Sequence, residues 1–183
     1  MPRNIDYTVT AEYDGRKVIH FLRGYCGFSS RLMRKVKYAL MLNGETTRTI
    51  DRIKCGDIVS VCIPDDDALP EMTEAEIDIV YEDEDILVIN KSPFMAMHPT
   101  HNHQGDTLAN AVTAYLTQKG KSVAFRAVGR LDKGTSGLVV CAINPLSACK
   151  LSGKIEKEYA ALVKGELTGE GKIEVPIYRP DPM

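Results

Sequence analysis

The chain has 183 residues, 44 % of them hydrophobic and 26 % charged, which is ordinary for a globular protein. No apolar run approaches the roughly 20 residues of a membrane span, and the N-terminus has no signal-peptide core. The five cysteines are scattered, without a Cys-x-x-Cys pair: Cys26, Cys55, Cys62, Cys141 and Cys149. These features predict a reduced, cytoplasmic protein with no membrane segment and no structural zinc.

Charge is distributed unevenly along the chain, although the formal net charge is only −2. Residues 16–60 contain ten basic and three acidic residues, whereas residues 61–87 contain eleven acidic and no basic ones. A basic block on a small domain indicates polyanion binding, and a solvated, charge-rich surface is the alternative.

The first third of the chain predicts two strands and two short helices. Residues 5–13 alternate like a half-buried strand, and residues 18–25 have the apolar spacing of a helix. Ser29 or Ser30 is a suitable N-cap for a second helix. We expect its apolar face to comprise Leu32, Val36, Ala39 and Leu40. An Asn43–Gly44 hairpin turn then precedes a strand over residues 58–63.

This order of elements resembles the small α-L RNA-binding module, found in a ribosomal small-subunit protein and fused to several RNA-modifying enzymes. Residues 29–37, 42–44 and 54–59 carry the resemblance. It implies that the second helix and the loop after it contact structured RNA through phosphate-binding side chains. The residues concerned are Arg23, Arg31, Arg34, Lys35 and Lys37. Stacking aromatics are limited to Tyr25, Phe28 and Tyr38, which favours recognition of RNA shape.

Residues 64–75 predict an acidic, solvated linker, because they contain Pro64, Pro70 and the triplet Asp65–Asp67. Beyond it, residues 77–82 and 86–91 predict two strands joined by an acidic turn. A helix follows, with Asp106 as its candidate cap and an apolar face of Leu108, Val112, Tyr115 and Leu116. Residues 123–128 are expected to be extended.

Three histidines, His98, His101 and His103, lie close together in the sequence. No cysteine or carboxylate accompanies them at the spacing of a zinc site. We therefore expect a polar loop near a substrate, without a bound metal.

The stretch Gly129–Gly137, GRLDKGTSG, precedes an apolar run over residues 138–142 that predicts a buried strand. Gly134 and Gly137 allow a sharp turn or a close backbone approach. The loop could therefore present one carboxylate and one guanidinium on a rigid core. The alternative is an ordinary turn in which Arg130 and Asp132 form a local salt bridge.

From residue 77 onward the chain resembles pseudouridine synthases of the RluA type. The matching segments, in order, are residues 91–93, 97–99, 105–108, the RLDKGTSGL motif and 157–163. The resemblance implies an α+β fold: a small α-L type domain with an extra N-terminal strand (residues 1–63), the linker (64–75), and a mixed, mainly antiparallel β-sheet catalytic domain with flanking helices (76–183). Phe94 stands where the family commonly has glycine.

The resemblance also implies the chemistry. Asp132 corresponds to the carboxylate that starts glycosidic cleavage, as nucleophile or as base. Tyr159, the second catalytic candidate, corresponds to the tyrosine that packs on the uracil and helps in proton transfer. Arg130 corresponds to the arginine that fills the gap left by the flipped base. Leu131, Thr135, Gly137 and His98 are the other substrate-binding candidates. We expect no cofactor, a monomer, and ribosomal RNA as the partner, with transfer RNA as the alternative.

Family members continue into further strands, with a basic partner for the catalytic carboxylate and a late Gly-Arg-x-His-Gln-Ile-Arg-type motif. Neither occurs here, and the segment 152–156 is shorter than usual. The chain is therefore expected to be a C-terminally truncated synthase. The alternative function is a non-catalytic RNA-binding protein that acts in ribosome assembly or RNA folding.

Overall fold

The structure, a computed structural model, describes residues 3–64, 69–101, 104–176 and 178. Two of the predictions above, the linker triplet Asp65–Asp67 and the loop residue His103, lie outside these ranges. No helix in the described ranges has both the length and the apolar character needed to cross a membrane.

The first sheet is antiparallel, with the strand order β1-β4-β2-β3. Its strands are β1 (Arg3–Thr8), β2 (Leu40–Leu42), β3 (Glu45–Thr46) and β4 (Ile58–Ile63). Two short helices, α1 (Val18–Gly24) and α2 (Ser30–Val36), pack on it. The buried cluster between them includes Phe21, Leu22, Leu32, Val36 and Val59.

Most local predictions in this half are confirmed. Ser29 caps α2 by accepting a hydrogen bond from the amide of Leu32. Asn43 and Gly44 both have positive φ, at 52° and 87°, as a tight hairpin turn requires. The side chain of Asn43 also donates to Asp57 and accepts from the amide of Ile58, which ties the hairpin to the start of β4.

Two boundaries were wrong. The strand predicted over residues 5–13 ends at Thr8, because its partner β4 begins at Ile58, directly opposite. Residues Ala11–Tyr13 instead form a 3₁₀ turn that places the Tyr13 ring edge-on against Phe21. Helix α2 ends at Val36, so Ala39 and Leu40 are not part of its apolar face.

The second sheet is antiparallel, with the order β5-β6-β7. Its strands are β5 (Asp78–Glu82), β6 (Ile86–Lys91) and β7 (Gly137–Ala142), and the accompanying helices are α3 (Leu108–Gln118) and α4 (Pro145–Leu151). Leu87 and Ile89 of β6 are buried with Leu108 and Val112 of α3. Antiparallel sheets with helices confirm the α+β class. Residues 126–128 run beside β7, to which they are joined by backbone hydrogen bonds.

The predicted cap of α3 was wrong. Thr107, not Asp106, is the N-cap, and it forms a reciprocal capping box with Asn110. Asn110 is fully buried, and its side-chain amide also donates to the carbonyl of Glu71 at 2.7 Å. Gln118 contacts Glu74 from the other end of the helix. The described part of the linker therefore lies along α3 instead of being wholly solvated.

Helix α4 joins the two halves of the molecule. Its Leu146 is buried in the cluster of the first half, and Cys149 packs against that cluster. The Cys149 thiol is 3.0 Å from the hydroxyl of Ser29, the cap of α2. Arg3 of β1 also forms an ion pair with Asp85, which lies just before β6. These contacts hold α2 close to the second sheet.

Buried thiols predict a loss of stability at alkaline pH. Burial raises the pKa of Cys141 from 9.0 to about 12, so the thiolate forms readily only in the unfolded chain. The folded state favours the protonated Cys141 thiol, and the resulting stabilisation is complete below pH 9 and is lost as the pH rises towards 12. Between pH 8 and pH 10.5 we expect the free energy of unfolding of the reduced protein, measured with urea, to fall by about 2 kcal/mol more than that of Cys141→Ala. Cys55→Ala, at an exposed position, is the control, and an identical pH slope in both variants would contradict the prediction.

Candidate active site

The loop before β7 carries Arg130 and Asp132 on either side of an apolar anchor. Leu131 is 6 % exposed and belongs to the buried cluster of the second sheet, whereas Arg130 and Asp132 are exposed on either side of it. The amide of Thr135 donates to the carbonyl of Asp132 at 3.0 Å and closes the turn. Within the described residues, no ion pair joins Arg130 to Asp132, so both charges are open to a ligand.

Gly137 is the point at which this loop enters the sheet. Its φ of +121° is in the region that favours glycine, whereas Gly134 lies outside that region. Gly137 pairs with Lys91, the last residue of β6. The positive φ therefore turns the loop over the end of β6.

Lys91, at the end of β6, fixes the position of the Asp132 loop through hydrogen bonds from its side chain. The residue is 1 % exposed, and its ammonium donates to the carbonyls of Ser92 (2.9 Å), Met95 (3.0 Å) and Lys133 (3.3 Å). Its burial lowers its pKa. Phe94 adds a second link, because its amide donates to the same Lys133 carbonyl at 2.7 Å. The 92–95 turn and the Asp132 loop are thus held as one unit.

Replacing Lys91 by Met should separate these two segments without unfolding the chain. Methionine has a similar volume but cannot donate, while removal of a buried charge offsets part of the loss. We expect amide exchange at Phe94 and Thr135 to accelerate at least about tenfold, since their local opening becomes easier. Exchange at Ile89 should stay unchanged. Lys121→Met is the control, and unaltered exchange at Phe94 would contradict this role of Lys91.

His98 contacts the segment that leads into the loop. Its ring contacts Phe125 edge-on, with centroids 5.2 Å apart. Burial, together with the positive charge of Arg130, lowers the pKa of His98. The imidazole is therefore neutral near pH 7 and can donate or accept a hydrogen bond.

Tyr159 is the one predicted catalytic residue that the structure does not bring to the loop. It lies in the segment 154–176, which has no helix or strand, and its side chain is 61 % exposed. Within the described part of the chain its side chain makes no hydrogen bond or ring contact. Lys157, two residues earlier, does reach the loop, because its ammonium donates to the Arg130 carbonyl at 3.0 Å.

The five basic candidates in the first half are all exposed: Arg23, Arg31, Arg34, Lys35 and Lys37. Arg31 and Lys35 line a groove of about 570 Å³ between α2, residues 124–126 and α4. Phe125 and Arg126 form the opposite wall. Phe125 also contacts His98, so one wall of the groove is shared with the surroundings of His98.

Three residues at or near the site were missed as site residues from the sequence. Lys91 terminates an apolar strand, and a charge at that position is a signal that could have been used. Lys157 begins the matching segment 157–163 but was assigned no role there. Arg126 had no signal in the sequence, since it reaches the groove only through the packing of distant segments. Among the aromatic residues considered for stacking on RNA bases, Phe28 is 3 % exposed and is therefore not accessible to a base. Tyr38 is 84 % exposed and is accessible.

Comparison with known proteins identifies related chains. Residues 85–182 match the family described as RNA pseudouridylate synthase. The uncharacterised RNA pseudouridine synthase YjbO of Bacillus subtilis is 34 % identical over 85 % of this chain and 59 % of its own length. YlyB of the same organism, similarly described, is 33 % identical over 96 % of this chain and 62 % of its own. Ribosomal large subunit pseudouridine synthase D of Pseudomonas aeruginosa is 38 % identical over 58 % of this chain and 35 % of its own. The chain thus spans about 60 % of the length of the two Bacillus proteins.

Proposed function

The chain belongs to the RNA pseudouridylate synthase family, and on that premise we propose that the protein isomerises specific uridines in structured RNA to pseudouridine. The relative from Pseudomonas aeruginosa is named as an enzyme of the large ribosomal subunit, and we extend that substrate, ribosomal RNA, to this protein. The observation that carries the proposal is the Asp132 loop, whose buried Leu131 holds an exposed carboxylate and guanidinium over the end of β6.

The reaction needs few protein groups. The bond between N1 of uracil and the ribose is broken, the base rotates, and C5 bonds to the ribose. The C5 proton is released and N1 takes up a proton, so the product is an isomer of the substrate. Asp132 starts the cleavage, either as a nucleophile on the ribose or base or by removing a proton from the sugar. No electron is gained or lost overall, so the chemistry requires no redox cofactor.

The other side chains bind and position the nucleotide. The target uridine must leave the RNA stack, which costs a few kcal/mol, and the planar Arg130 guanidinium takes its place there. Neutral His98 lies within the field of Arg130 and offers a hydrogen bond to the displaced nucleotide. In this proposal Tyr159 packs on the uracil once RNA is bound, with Lys157 holding its segment against the loop.

The first half acts in this proposal as an α-L type RNA-binding module over residues 1–63, ahead of a catalytic region over residues 76–183. Support comes from the basic face of α2 and from the groove lined by Phe125 and Arg126, since Phe125 contacts His98. Phosphates along this path would be neutralised by Arg31, Lys35 and Arg126, which fixes the register of the RNA without reading its sequence.

Release of tritium from RNA carrying [5-³H]uridine tests the proposal, because only uridines that become pseudouridine lose the C5 hydrogen. Ribosomal RNA transcribed in vitro, and therefore unmodified, is the substrate. Tritium release that depends on Asp132 supports the function. Binding of the RNA without release would favour the alternative, an RNA-binding protein without catalysis.

A further inference from the structure

Phe94 adopts a backbone conformation that a bulky residue rarely accepts. It follows Pro93 in a turn, and its φ of +69° is at the position where such turns normally require glycine or asparagine. Among the described residues, Asn43 is the other non-glycine residue with positive φ, and its side chain stabilises the hairpin through two hydrogen bonds. Asparagine also tolerates this region far better than phenylalanine does.

Within the described residues, no hydrogen bond or ring contact of the Phe94 side chain offsets the strain. The residue is 77 % exposed, so its ring contributes little buried area. The contact that the turn makes with the Asp132 loop uses the Phe94 amide, which a glycine would supply equally well. Strain of this kind persists at functional sites, where the side chain serves a ligand.

We propose that the Phe94 ring is a stacking platform for an RNA base next to the flipped uridine. This inference rests on the proposed function. The Phe94 amide is 2.7 Å from the carbonyl of Lys133, the residue directly after Asp132, so the ring is carried at the rim of the catalytic loop. A base stacked on an aromatic ring also contributes affinity without sequence preference, which suits a residue beside the target.

Phe94→Gly should weaken RNA binding without lowering the melting temperature. Glycine removes the strain and no buried contact, so we expect a melting temperature equal to or above that of the wild type. Affinity for unmodified large-subunit ribosomal RNA, measured by filter binding, should fall about 5- to 100-fold through the loss of one stacked base. Phe94→Leu should also bind weakly, and Phe94→Tyr should bind like the wild type.

Photocrosslinking locates the contact. The same RNA, transcribed with 4-thiouridine, is irradiated with the protein, and crosslinked residues are identified by mass spectrometry. A crosslink at Phe94 is the expected result. Tyr81→Leu, at an exposed aromatic on β5, is the matched control and should leave binding unchanged.

The outcomes separate this inference from the proposed function. If the wild type releases tritium and Phe94→Gly does so with the same KM and Kd, the stacking role is overturned and the function stands. If Phe94→Gly weakens binding while the wild type releases no tritium, the stacking contact stands and catalysis is overturned. If the wild type does not bind the RNA, both are overturned.

Discussion

Replacing Asp132 by Asn should abolish tritium release from uridine-labelled RNA while the protein stays folded. Loss of a positioned acid–base group alone lowers a rate by about 10²–10⁴-fold, and loss of a nucleophile lowers it further. The amide has the shape of the carboxylate but can neither attack carbon nor accept the proton. The carboxylate is exposed and makes no hydrogen bond within the described residues, so the free energy of unfolding should change by less than about 0.5 kcal/mol.

The matched control is Asp6→Asn, an exposed carboxylate on β1. It makes the same change of charge and should leave tritium release at the wild-type rate. RNA affinity of Asp132→Asn should be equal to or above that of the wild type, since a negative charge near phosphates has been removed. Release by Asp132→Asn at more than a tenth of the wild-type rate would rule out a catalytic carboxylate at this position.

The double variant Arg34→Ala with Lys35→Ala should lower RNA affinity on the order of tenfold or more near 0.1 M salt. Both residues are exposed in the last turn of α2, and each would neutralise one phosphate. The slope of log Kd against log salt concentration should decrease by about 1.4 to 1.8 for two lost contacts. Filter binding across a salt series measures both quantities.

A control for net charge is available in the second half. Lys119 and Lys121, just after the end of α3, both form ion pairs with Glu82. Their replacement by alanine removes two positive charges, as the double variant in α2 does. If the two double variants weaken binding equally, the effect is one of overall charge, and α2 is not the RNA-binding face. At saturating RNA, Arg34→Ala with Lys35→Ala should retain the wild-type rate of tritium release, because neither residue reaches Asp132.

The local elements were accessible from sequence because short-range rules determine them. The Ser29 cap, the Asn43–Gly44 hairpin and the strand after the acidic turn depend on residues a few positions apart. Boundaries that depend on a distant partner were not accessible. β1 ends at Thr8 because β4 begins opposite it, and Thr107 caps α3 because its partner Asn110 is buried against Glu71.

The candidate site divides in the same way. Asp132 and Arg130 were identified from a contiguous motif, since a loop of nine residues carries both charges. The contacts that hold this loop in place were not identified from the sequence, because Lys91 and Phe94 reach the Lys133 carbonyl from 42 and 39 positions away in the chain. The groove between α2 and residues 124–126 likewise exists only because α4 packs on the first half.

By itself, therefore, the sequence determined the class of the fold, the basic character of α2 and the identity of the charged loop residues. The class of the fold and the roles of the loop residues follow from the family resemblance that contiguous motifs carry, and the basic character of α2 follows from composition; all of these are local. Only the tertiary structure decided how the Asp132 loop is held and where the basic groove leads. A buried ammonium must find carbonyl partners wherever packing supplies them, and no local pattern encodes which ones those are.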